Sequence, residues 1–121
     1  MKFITLVVAI FVLGALIFAT PKVENTENLY KGVCVVEYNA GFNSQNSVSW
    51  IEKLSDCSGR RVDITVFPEQ QKEHKIVVVP TLVIFNDGVE VQRYQANIML
   101  ELEVNQEIVQ EYINDITMSD F

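Results

Sequence analysis

The sequence predicts an α/β sandwich with the order βαβ followed by α-ββα, and three observations carry that expectation. Val33-Cys34-Val35-Val36-Glu37-Tyr38 is dense in β-branched and aromatic residues, as a central strand covered on both faces is. Asn86-Asp87-Gly88 separates two further strand-like runs and supplies the residues that a tight hairpin turn requires. The chain then closes on an amphipathic stretch that puts Val104, Ile108, Val109, Tyr112, Ile113 and Ile116 on one helical face.

Taken in order, the chain opens on a different material. Residues 3–19 form an apolar run broken only by Thr5 and Gly14, and Lys2 is the only charge in the first twenty. A helix with no polar face is not a soluble surface helix. The run reads as an N-terminal hydrophobic helix, a signal anchor or signal peptide spanning residues 1–20. Bulky Ile17 and Phe18 before Ala19 make a poor cleavage site, which favours an uncleaved membrane anchor with the domain outside the cytoplasm. If it is cleaved, the domain is secreted or periplasmic. Residues 21–32 are polar and read as a linker, and residues 33–121 as the folded domain.

After the first strand, Asn43 or Ser44 offers a helix N-cap. Val48, Ile51, Leu54 and Cys57 then recur at helical spacing up to a Ser58-Gly59 stop. Residues 62–67 alternate Val62, Ile64 and Val66 with Asp63 and Thr65, predicting the second strand. Pro68 can open a short helix to about Lys75. Residues 81–85 and 89–94 are the arms of the hairpin, and the last helix starts near Leu100 or Asn105.

Composition narrows the function classes. The formal net charge is -7, and such a domain repels phosphate backbones, so no nucleic acid is expected as a partner. Arg60-Arg61 is a single basic pair between Asp56 and Asp63. His74 is the only histidine, Ser44, Ser47 and Ser49 lack a partner base, and no Gly-rich phosphate loop or Asn-x-Ser/Thr occurs. No metal ligand set and no cofactor is expected. Cys34 and Cys57, the only cysteines, could be buried thiols, a disulfide or a displaced redox pair.

With Ala40-Gly41-Phe42 leading into Asn43-Ser44-Gln45-Asn46, and Val79-Pro80-Thr81 downstream, residues 33–116 resemble the thioredoxin-like family with a shortened N-terminal part. In that family the turn begins and ends with cysteine, and the places here hold Asn43 and Asn46, with Ser44 and Gln45 between. The chemistry needs a low-pKa thiolate at a helix start and a second thiol to resolve the mixed disulfide. An amide does neither, so no catalytic residue is expected at the degenerate turn. The resemblance further implies that Glu37 is the family's buried acid, that Val79–Pro80 is a cis peptide, and that Phe42, Val79, Pro80 and Thr81 meet an extended peptide. The expectation is a non-catalytic domain that binds a protein or peptide near that proline. The alternative is a divergent thiol-disulfide oxidoreductase or isomerase using Cys34, Cys57 or both; a structural accessory subunit that depends on its anchor is the third.

Overall fold

The computed structural model describes residues 31–119. The expected hydrophobic helix at residues 3–19, and most of the linker, lie outside them. Among the described residues no helix is long and apolar enough to cross a membrane.

Strand β1 (Val33–Asn39) sits inside a four-stranded sheet, between β2 (Ser58–Asp63) and β3 (Thr81–Asn86), with β4 (Val89–Gln95) at the far edge. β1 and β2 are parallel with Cys34 opposite Ser58, while β1–β3 and β3–β4 are antiparallel. The alternation of side chains along a strand divides the core in two. Cys34, Val36, Tyr38, Val83 and Phe85 pack on one face with Ile76 and Val79. Val35, Leu82 and Ile84 pack on the other with Val48, Ile51, Leu54, Val109 and Ile113. His74 lies against the first face between the Tyr38 and Phe85 rings, at 5.7 and 5.2 Å between centroids, and burial lowers its pKa. Its expected packing role is what the geometry shows.

The hairpin forms as expected: Asp87 and Gly88 both take positive φ, 53 and 84°, the turn that matches strand twist. Asp87 also clasps the start of β1, its N–H donating to the Gly32 carbonyl at 2.8 Å and its Oδ1 accepting from the Gly32 N–H at 2.9 Å. Helix α1 (Pro68–Glu73) starts on its proline, and α2 (Gln106–Ser119) is capped by Asn105, whose Oδ1 accepts from the Ile108 N–H at 3.0 Å.

Two expectations are corrected. The helix through Val48, Ile51 and Leu54 does not form. Its place holds two 3-10 segments, Gly41–Asn46 and Ile51–Lys53, with Ser47 and Leu54 extended at ψ 144°. The apolar residues there recur at strict intervals of three, a spacing that a three-residue turn satisfies as well as an α-helix does. The second strand is shifted to Ser58–Asp63, so Ser58-Gly59 opens a strand instead of closing a helix. Gly59 suits that place, because a Cβ there would sit 3.3 Å from the Ile51 carbonyl oxygen. The strand ends at a turn in which the Asp63 carboxylate takes the Thr65 N–H at 2.9 Å and its hydroxyl at 2.6 Å; the Ile64 N–H still reaches the Asn39 carbonyl of β1 at 2.9 Å, while the Val66 N–H turns back to the Asp63 carbonyl at 3.1 Å.

Candidate functional site

The ends of β1, β2 and β4 and the start of β3 meet at one end of the sheet, and the turn Gly41–Asn46 closes over it. Asn43 is its centre. The side chain is 3% exposed, and its Nδ2 lies 3.2 Å from Asn39 Oδ1, 3.3 Å from the Val79 carbonyl and 3.1 Å from the Leu100 carbonyl. Its Oδ1 accepts from Asn46 Nδ2 at 2.8 Å. Asn39 Nδ2 completes the network by donating to the Asn43 carbonyl and to Ser47 Oγ at 3.1 and 2.9 Å. The Asn43 amide is therefore a tie between three chain segments.

The Val79–Pro80 peptide is cis. Val79, Pro80 and Thr81 are buried, with Thr81 Oγ1 donating to the Val78 carbonyl at 2.6 Å and the Pro80 carbonyl accepting from the Ala96 N–H at 3.1 Å. Of the four residues expected to meet a peptide, only Phe42 presents its side chain to solvent. The Val79 carbonyl already accepts from Asn43. The segments bonded at this junction carry exposed apolar side chains close by in sequence: Phe42, Val77, Ile98 and Met99 are 73, 79, 97 and 68% exposed. Val66 and Phe67, just past β2 at the same end of the sheet, are exposed as well.

Ile98 and Met99 ride on a loop that sequence reading did not single out. Asn97 Oδ1 accepts from the N–H groups of Met99 and Glu101 at 2.8 and 3.2 Å. The Asn97 N–H reaches the Glu101 carbonyl at 2.9 Å, and Leu100 adopts φ 61°. The available signal was three consecutive large apolar residues, Ile98-Met99-Leu100, outside any periodic pattern and directly after an asparagine.

Beneath the turn lies a cleft of about 200 Å³ lined in part by Glu37, Asn39, Ser44, Ser47, Arg61 and Asp63. Glu37 is buried, as the resemblance implies. Its Oε2 accepts from the Val48 N–H at 2.8 Å and its Oε1 from Arg61 Nη1 at 2.5 Å. Burial raises its pKa, and the Val48 N–H and the Arg61 guanidinium pull the other way. Arg61 also forks onto the exposed Glu52, at 3.1 and 2.9 Å.

The cysteines are both free thiols, so the possible Cys34–Cys57 disulfide is not made. The register explains this. Cys34 pairs with Ser58, so Cys57, one residue earlier, packs with the opposite face of the sheet. Burial raises the Cys34 pKa and pushes Cys57 up to about 11. A reactive thiol needs the opposite shift. Among the described residues, no group of three His, Cys, Asp or Glu could hold a metal ion.

No family model matches the sequence, and no curated protein does. Solved structures do match by fold. Thioredoxin of Schistosoma mansoni is 16% identical with a TM-score of 0.60, over 79% of this chain and 87% of that one. Thioredoxin of Fasciola hepatica is 21% identical with a TM-score of 0.55, over 77 and 89%. A mutant thioredoxin from Halobacterium salinarum is 17% identical with a TM-score of 0.57, over 74 and 78%. At these identities the likeness is one of fold, and the fold is thioredoxin-like.

Proposed function

We propose that this thioredoxin-like chain is a non-catalytic binding domain that takes a protein or extended peptide on the apolar surface around its Asn43 junction. The observation that carries the reading is the contrast at one place. The position suited to a reactive thiol holds a buried, fully bonded amide, while Phe42, Val77, Ile98 and Met99 beside it stand in water. Burying a side chain of that size contributes about 1.5–3 kcal/mol. Several together can support association once the entropy of binding is met. The peptide lies across side chains, with the Val79 backbone a secondary contact. Residues 3–19 hold the domain to a membrane, with the domain on the outer side, or direct its export. The two thiols speak against the oxidoreductase alternative through their raised pKa values.

The test is selection of displayed peptides on the full chain, followed by affinity measurement against variants. Enriched peptides should lose at least about tenfold in affinity for an Ile98→Ser, Met99→Ser double variant and keep it for Val89→Ser, exposed elsewhere. Peptides that bind all three proteins alike, or no enrichment at all, would sink the reading.

A further inference from the structure

The sheet has two edges, and they are built differently. β4 is closed to further pairing. Its register shifts at Ile84/Phe85, a bulge that leaves Val91 unpaired, and the Tyr112 hydroxyl from α2 donates to the Val91 carbonyl at 2.9 Å. The Arg93 N–H is taken by the neighbouring Gln92 Oε1 at 2.8 Å, and Arg93 and Glu90 pair across the strand's surface. These are the devices that keep an edge strand from recruiting another strand.

Among the described residues, β2 has none of them. It pairs with β1 along all six residues without a bulge. Among the described residues, no side chain or loop donates to or accepts from the main chain of residues 58–62 on the outer side. Ser58, Gly59, Arg60 and Arg61 are exposed. A row of main-chain donors and acceptors of this length, left open by the described residues, is a template for one more strand.

Charge then describes the strand that fits. Arg60 is in no ion pair among the described residues, whereas Arg61 is held by Glu37 and Glu52. Asp56 and Asp63 bracket β2 just before its start and at its end. A carboxylate is therefore welcome opposite Arg60 and repelled at either end, where cations are favoured. A second copy of β2, laid antiparallel, would set arginines against arginines.

We propose that the outer edge of β2 adds an extended segment of a partner protein, β-branched, with an acidic residue opposite Arg60 and basic residues toward its ends. This site is separate from the apolar surface around Asn43 and does not depend on it.

The probe is a blocked heptapeptide with lysine at both ends, glutamate in the centre, and valine or threonine between, titrated into the full chain in detergent and followed by amide NMR. Saturable shifts confined to residues 58–63, with those amides newly protected from exchange, are the expected result. Arg60→Glu should weaken the peptide roughly tenfold and come to prefer the inverse peptide, with lysine central and glutamate at the ends. A version N-methylated at alternate residues should not bind. Shifts that map to Ile98 and Met99, affinity indifferent to Arg60→Glu or to N-methylation, β2 amides already protected before peptide is added, or no saturable shift at all would each overturn the proposal.

Discussion

Asn46 donates its side-chain amide to Asn43 Oδ1 at 2.8 Å, so the first and last asparagines of the Asn43-Ser44-Gln45-Asn46 turn are hydrogen-bonded to each other. The two Asn43 amide hydrogens face three acceptors, Asn39 Oδ1 and the Val79 and Leu100 carbonyls, so one hydrogen is shared, and Asn46 supplies the donor to the amide oxygen.

Asn43→Ala should therefore cost about 1–3 kcal/mol, because it takes the donor from the buried Val79 carbonyl and the part-buried Leu100 carbonyl at once. Asn46→Ala removes one donor from a part-buried site and should cost less than about 1 kcal/mol. Chemical denaturation of both variants checks the order; equal costs would show that Asn43 is not the centre of the network.

The pH dependence assigned to Glu37 has a definite sign. Its folded pKa is raised, with burial the leading cause, so the native chain holds that proton more tightly than the unfolded one does. Its contribution to stability is fully present below the unfolded carboxyl value of about 4.3 and is lost as pH rises through the folded value. Glu52, Asp63 and Glu90 are lowered by their hydrogen-bond donors and act in the opposite sense, losing their contribution as pH falls. Subtracting Glu37→Gln from the parent isolates the first effect. The parent's stability relative to the variant should fall as pH rises from about 4.3 through the folded value; a flat or rising difference contradicts the assignment.

Arg61→Ala leaves the Glu37 carboxylate with only the Val48 N–H. It should destabilise the fold at pH 7 by about 2 kcal/mol, discounted from a fully buried pair because the guanidinium is partly in water. The loss should shrink in a Glu37→Gln background. A double-mutant cycle measures that coupling, and additive losses would mean that the ion pair is incidental.

Neither thiol should react with an alkylating agent at pH 7 in the folded chain. A Cys57 pKa of about 11 leaves a thiolate fraction on the order of one in ten thousand. Both should react after denaturation, and mass spectrometry across a glutathione titration should find no Cys34–Cys57 bond. A folded-state adduct at either residue would return the oxidoreductase reading to consideration.

Much of this arrangement was legible in the sequence because its signals were strong and local. The β-branched run gave β1, Asn86-Asp87-Gly88 gave the hairpin, and Asn105 before an amphipathic stretch gave α2. The segment from Asn43 to Asp63 was misread where two geometries share one pattern. Val48, Ile51 and Leu54 reach the core as expected, yet their triplet spacing does not separate an α-helix from shorter turns. Edge strand β2 carries little apolar alternation because most of it faces water, so the clearer alternation downstream drew the boundary too late. The prominence of Ile98 and Met99 belongs to a loop held by Asn97. Such side-chain to main-chain bonds leave no periodic trace.

The clasp between Gly32 and Asp87 has a mechanical consequence. Tension arriving through the chain before Gly32 enters the domain along β1, the strand that is bonded on both sides, to β2 in parallel and to β3 in antiparallel register. Pulled lengthwise, such a strand must shear two ladders together, whereas one at an edge could be peeled bond by bond. Load is thus delivered to the part of the sheet best able to bear it, and the hairpin turn at Asp87 acts as the first stop.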